Sequence, residues 1–355
     1  MKCPVCNAEI AKGSIDCPSC HLTLERARRL NDLAKKMAKD QELPDEVWEE
    51  LYSFADYGEG WQVVEYLGSS PTLYLPAYYR KKPILHVGEY AFDSAPILAV
   101  HLPDTITSIG KGAFWHCNLL KLVALPNDLR TIGEEAFLGC SDLTSISLPD
   151  SIITLGAGCF ADCGRLSKVS LPASLDGLPD RMFLGCDQLK SLSLPKDLVS
   201  LGNQSLEGTG ISRLTLPATS LYVGERALAN TPLATISIPD EVEALGRGAF
   251  ADCAALAKVR LGKGLKQVGE DCFAYTALSD ISVAKGNPDF AVKGKALLNG
   301  ETLVVGTALS TVAPEVKVIA RHAFVGIKGL HLDVPHGVFL QPEWAFDCPP
   351  TGDGV

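Results

Sequence analysis

No run of about 18 apolar residues occurs in this sequence, so no membrane-spanning helix is expected. A basic start followed by an apolar stretch is also missing, which makes the cytoplasm the expected compartment. The sequon Asn203-Gln204-Ser205 then carries no glycan. There is no P-loop, no G-x-G-x-x-G, no G-x-S-x-G and no H-E-x-x-H. The seven histidines are His21, His86, His101, His116, His322, His331 and His336, and none sits in a ligand-spaced cluster. His101 and His116 lie in adjacent repeat segments, where a surface or partly buried role is expected. These absences remove the usual phosphate-binding, dinucleotide-binding and metallohydrolase classes, and the chain is expected not to be an enzyme.

Basic charge is scarce outside the first residues. The formal net charge is -10, yet residues 1–40 hold eight Lys/Arg against five Asp/Glu, which leaves -13 on the remainder. An acidic body argues against wholesale binding of nucleic acid or anionic membrane. The basic residues Arg26, Arg28, Arg29, Lys35, Lys36 and Lys39 fit a solvated helix face. With 46% hydrophobic and 21% charged residues the chain should fold. Its 355 residues are too many for one ordinary core unless the architecture repeats.

The twelve cysteines fall into two classes. Cys3, Cys6, Cys17 and Cys20 form C-x2-C-x10-C-x2-C. Each pair lies in a tight turn containing Pro4 or Pro18, which aims two thiolates at one point. Two such turns complete a closed tetrahedron around one structural Zn²⁺, with no open position for catalysis. About twenty residues bury no core, so metal would supply most of the folding energy. Cys17 to His21 also fits the haem-attachment pattern C-x-x-C-H, but that chemistry needs export and leaves Cys3 and Cys6 without a role. A redox dithiol lacks its strand–helix setting here. The segment resembles a bacterial zinc ribbon over residues 1–24.

The other eight are Cys117, Cys140, Cys159, Cys163, Cys186, Cys253, Cys272 and Cys348, and four of them recur every 23 residues. Leu-Pro pairs share that period, at Leu102-Pro103, Leu125-Pro126, Leu148-Pro149, Leu171-Pro172 and Leu194-Pro195. They continue at Leu216-Pro217 and Ile238-Pro239. Seven residues after each comes an apolar-Gly pair such as Ile132-Gly133, with Leu178-Pro179 in its place in one repeat, then Ala-Phe or a relative such as Ala136-Phe137, then a small residue, usually Cys. The unit reads L-x-x-I-x-L-P-x-x-L-x-x-I-G-x-x-A-F-x-x-C-x-x.

Each position has a physical role. In LTSISLP (143–149), Leu143, Ile146 and Leu148 should point inward while Ser145 and Ser147 point out. Proline ends the strand where no ladder donor is needed. The apolar-Gly step turns the chain, and a short helical turn sends Phe inward. Cys is small enough for a tight coil and should pack as a reduced, buried thiol rather than as a metal site or disulfide. One unit cannot bury its own apolar side, so stacked units share a core and a parallel sheet at about 4.8 Å per coil. Ser205-Leu206 and Ala227-Leu228 lack the aromatic and carry Thr209 and Thr231 at the Cys position, where looser packing is expected.

IGEEAFLGCSDLTSISLP (132–149) carries the resemblance in full. It resembles the BspA-type bacterial leucine-rich repeat, and the likeness extends over about residues 60–348. The fold class expected is therefore a repeat solenoid: leucine-rich repeats forming a parallel β-sheet with short helical turns, preceded by a zinc ribbon and a helical segment. Residues 25–58 are expected to be two helices, 22–41 and 43–58, bridging the zinc module and the solenoid. The solenoid then spans 59–348, with a hairpin cap within 60–92 and a hairpin insertion at 287–306. VIARHAF (318–324) and PEWAF (342–346) are degenerate last units, and 349–355 is a tail.

The outward strand positions form a stripe of small polar residues with the cations Lys168, Arg213, Lys258 and Arg260, and no aromatic platform was evident among them. That stripe is the candidate partner surface, suited to an acidic protein segment. The expected function is a protein-interaction scaffold with a structural zinc module. The BspA-type resemblance also implies a second possibility, a surface or secreted adhesin.

Overall fold

The computed structural model describes residues 43–341 except 69, 220, 328, 329 and 331. The chain divides into two compact units, Met1–Pro172 and Ala173–Val355. The four N-terminal cysteines, the helix expected at 22–41, and PEWAF lie outside the described residues.

Both units are built from stacked coils, and each coil has two strand sides and one turn side. In the first unit the L-x-x-I-x-L-P strands Thr72–Tyr74, Ala99–His101 and Leu122–Ala124 pair in parallel, and Ser145–Ser147 pairs with Lys168–Ser170. In the second unit Thr235–Ser237, Lys258–Leu261 and Asp280–Val283 do the same. Ile146 and Leu148 are buried and Ser147 is exposed, as alternation requires. The apolar-Gly step does more than turn the chain. Ser108–Ile109, Thr131–Ile132 and Thr154–Leu155 form a second parallel ladder, and Gly177–Leu178 through Gln267–Val268 form another in the second unit. Glycine follows because backbones nearly touch there. A Cβ on Gly133 would lie 2.6 Å from the Lys111 nitrogen of the preceding coil.

The side expected to be a short helical turn is not helical. In Gly88–Ser94 the N–H groups of Tyr90, Phe92 and Ser94 donate to the carbonyls of Lys111, Ala113 and Trp115 on the next coil, at 3.0, 2.8 and 2.7 Å. Only Ala91 and Asp93 donate back within their own coil, three residues earlier. Tyr90 and Ser94 have φ of 53° and 54°, and the equivalent residues recur through both units, for example Glu135, Asp162, Arg226 and Asp252. A left-handed residue reverses the direction of its peptide, so bonds that would close a helix run to the neighbouring coil instead.

That spacing sets the core. Phe92, Phe114, Phe137 and Phe160 stack with centroids 4.9, 5.0 and 5.4 Å apart and planes within 9°. Phe250 and Phe273 repeat this in the second unit, at 5.5 Å. The Cys117, Cys140 and Cys163 thiols donate to the carbonyls of Phe92, Phe114 and Phe137 on the coil before. Position and periodicity thus give these cysteines a weak donor role beside their small volume. Burial pushes the Cys117 thiol up to about 12, and Cys140 and Cys272 are raised by the same cause. None of the seven described cysteines is in a disulfide. Where the aromatic is missing, Leu206 and Leu228 remain fully buried, and Thr209 and Thr231 bond to the carbonyls of Leu206 and Leu228 at 2.9 Å. The Ser205 hydroxyl beside them is buried with no hydrogen-bond partner among the described residues.

The cap differs from expectation. The helix placed over 43–58 runs only from Asp45 to Glu49 (α1). Tyr52–Tyr57 (β1) and Gly60–Tyr66 (β2) form an antiparallel hairpin, and β2 joins the parallel strand Lys82–Val87. The solenoid therefore begins near Asp45 rather than at 59. Alternating Tyr52, Phe54 and their partners explain the change, because Tyr52 packs against Tyr66 and Phe92 and Phe54 stacks on Tyr79. Near the other end, Phe290–Lys293, Ala296–Asn299 and Thr302–Val305 form an antiparallel meander. Val318–Ile319 follows it in parallel, and Phe324 is buried.

Phe137→Ala should destabilise by about 3–5 kcal/mol, because it opens the middle of a stack that the fixed coil spacing cannot close. Ser205→Ala should be neutral or stabilising by up to about 1 kcal/mol, since an unpaired hydroxyl disappears. Denaturant midpoints of the two variants check both expectations, and a destabilising Ser205→Ala would refute the reading of that hydroxyl.

Candidate interaction surfaces

The four cations chosen from the sequence are all exposed. Lys168 belongs to the first unit, opposite Ser145. Lys258 and Arg260 project from the same face of Lys258–Leu261, the middle strand of its three-stranded sheet. Lys258 faces Asp280 at 3.7 Å, so its charge is partly answered. Arg260 lies between Ser237 and Ser282 and is the more open of the two. Arg213 occupies the position equivalent to Lys258 two coils earlier, where no strand is assigned. The second unit thus gathers three of the four cations.

The strand face of the first unit carries aromatic and apolar groups, of which His101 and Leu122 belong to the sequence stripe and Tyr74 does not. Tyr74 and His101 are in register and their rings stack at 4.4 Å and 2°. Leu122, in register with Ala99, is 59% exposed. Tyr74 lies in the cap segment, one coil before the regular repeats begin.

The second ladder of the first unit presents His86, Ser108, Thr131 and Thr154 in one row. His86 Nδ1 makes a short hydrogen bond to the Ser108 hydroxyl, and Tyr57 stacks on its ring at 4.9 Å. No carboxylate among the described residues hydrogen-bonds this imidazole, so the pair lacks the orienting group of a catalytic triad.

On the turn side of the second unit, ion pairs run from coil to coil. Arg226 grips one oxygen of Glu207 through Nε and Nη2, at 2.9 and 2.8 Å, and reaches Asp252 at 3.1 Å. His322 bonds Asp271 at 2.5 Å, tying together coils 51 residues apart across the meander. Between these groups lies a cleft of about 360 Å³ floored by Ala251, Ala274 and Val325. No group of three potential metal ligands occurs among the described residues, and no described helix is long and apolar enough to cross a membrane.

Burial lowers the His86 pKa, with the Ser108 and Glu89 contributions opposing. An imidazole whose folded pKa lies below its unfolded value of 6.5 favours the fold when neutral. Its contribution is therefore complete above about pH 7 and lost as pH falls through 6.5 and below. His86→Gln should flatten the decline of melting temperature between pH 7 and pH 5. A decline as steep as that of the unaltered chain would place the titration elsewhere.

The family model described as the BspA-type leucine-rich repeat region, in six copies, matches residues 85–208 and 177–291. A leucine-rich-repeat protein structure from Bacteroides ovatus is similar at a TM-score of 0.50 and 19% identity, covering 85% of this chain and 90% of that one. A leucine-rich cell surface protein from Faecalibacterium prausnitzii is similar at a TM-score of 0.53 and 20% identity, covering 81% and 88%. These two likenesses concern the fold alone. Among curated proteins, none matches the sequence. With more than half of its length matched by the repeat model, and with the coil geometry described above, the chain belongs to the BspA-type leucine-rich-repeat family.

Proposed function

We propose that this chain is a non-catalytic scaffold that binds a protein partner through the outward face of its repeats, and that it works in the cytoplasm. The observation that carries the reading is the strand Lys258–Leu261. Its Lys258 and Arg260 are held side by side on an open sheet, with Ser237 and Ser282 beside Arg260 and no core role for either cation. Cations fixed on rigid strands of an otherwise acidic chain suit an acidic segment of the partner. Leucine-rich repeats commonly mediate protein–protein contacts, which favours the same reading.

Reversing Arg213, Lys258 and Arg260 to Glu together should cut partner capture by the full chain at least about tenfold while leaving the circular dichroism spectrum unchanged. Unchanged capture would remove this face from the function. A chain lacking residues 1–42, which keeps α1 and the cap hairpin, should capture the partner as well as the full chain does.

The N-terminal module is proposed to hold one structural Zn²⁺ through Cys3, Cys6, Cys17 and Cys20. Two C-x-x-C pairs ten residues apart support this. Metal analysis of the purified chain should find one zinc, and Cys3→Ser or Cys17→Ser should lose it without shifting the unfolding of the repeats. A native chain free of metal would sink the zinc reading.

A second reading is favoured by the cell surface protein from Faecalibacterium prausnitzii among the similar structures. On that reading this chain is displayed outside the cell as an adhesin. Protease treatment of intact cells separates the two, because a displayed chain is cut and a cytoplasmic one is spared.

A further inference from the structure

The turn side of the first unit carries a group of rings and carboxylates that the core does not need. Tyr90 has φ of 53° and its side chain is 43% exposed. The equivalent position is glycine on some later coils (Gly112, Gly158 and Gly248) and Glu135, Arg181, Gln204, Arg226 or Asp271 on others, all left-handed. The Tyr90 ring lies against the next coil, where a Cβ on Gly112 would come within 2.3 Å of it. Trp115 meets Tyr90 edge to face, with centroids 6.3 Å apart and planes at 88°. His116 lies against Trp115 at 4.3 Å. Trp115 and His116 are half-buried.

Two exposed carboxylates, Glu89 and Asp93, lie within three residues of Tyr90 along the chain. Glu89 precedes Tyr90 and forms no ion pair among the described residues. Asp93 accepts from the Ser94 hydroxyl through one oxygen, at 2.8 Å, and its other oxygen has no partner among the described residues. Asp93 and Trp115 hold equivalent positions on successive coils, because Phe92 and Ser94 donate to Ala113 and Trp115. They therefore stand about 4.8 Å apart along the stack. Lys111, on the following coil, is engaged by Glu134 at 2.8 Å.

We propose that Tyr90, Trp115, Glu89 and Asp93 form a docking site for an arginine-bearing basic segment of a partner protein. A guanidinium stacks on aromatic faces and offers forked donors to a carboxylate at the same time. The net -13 carried by residues 41–355 draws such a segment in. The site lies on a different side of the coil, and answers the opposite charge, from the strand face proposed above.

Calorimetric titration of the full chain with a hexa-arginine peptide at physiological salt tests the site. Trp115→Leu and Asp93→Asn should each weaken binding about fivefold or more. Trp115→Leu introduces the residue already present at the equivalent positions Leu138 and Leu184, so the coil should hold, and its circular dichroism should match the unaltered chain. Asp187→Asn, at an exposed carboxylate of the second unit, should leave affinity unchanged. Equal affinity of the unaltered chain, Trp115→Leu and Asp93→Asn would show general attraction to an acidic protein and overturn the site. Binding of a neutral chitotriose in place of hexa-arginine would overturn it as well. So would hexa-arginine binding that emerges only after residues 1–42 are removed, since the chain's own basic residues would then be the occupant.

Discussion

Backbone hydrogen bonds from every side of one coil to the next hold these coils about 5 Å apart, and nearly everything else follows from that distance. On the strand sides the bonds are ordinary parallel ladders. On the turn side they exist because two residues per coil take positive φ and turn their N–H groups toward the neighbour. Every residue therefore lies beside its own equivalents. Phe meets Phe face to face, Cys117, Cys140 and Cys163 each meet the carbonyl of the preceding coil's Phe, and the glycine of the apolar-Gly step meets a backbone that leaves no room for Cβ. A repeat must be small where the last coil was small. It can vary freely only where side chains point outward.

That freedom is where function can be written. The outward rows tolerate Ser145 on one coil and Lys168 on the next, because neither contributes to the core. The rigid ladder then fixes such residues at intervals that match an extended partner chain. The same rule explains the two charge regimes. Cations stand on a strand face of the second unit, and unpaired carboxylates stand among rings on the turn face of the first. Ion pairs between coils, such as Arg226 with Glu207, fill the remaining outward positions with contacts that bind one coil to another.

Much of this was legible beforehand because periodicity is a property of sequence. The 23-residue step located Leu143, Ile146, Leu148, Phe137 and Cys140 in the core, and all five are buried. The cap was less legible. YSFADY contains apolar residues at both helical and alternating spacing, and only the packing of Tyr52 on Tyr66 and Phe92 chose the strand. The turn side was misread as helical for a similar reason. Ala-Phe-x-x-Cys satisfies a helical spacing, but the N–H of its Phe bonds to a carbonyl 21 or 22 residues away.

By itself the sequence determined the period, the inward set and the thiol chemistry of the buried cysteines. Those depend on which residues recur, and recurrence needs no coordinates. Tertiary structure alone decided the left-handed wall, the second ladder through Ser108 and Thr131, and the grouping of Tyr90 with Trp115. Each of these joins residues about one coil apart. Such neighbours meet only when the backbone of the next coil arrives at hydrogen-bonding distance.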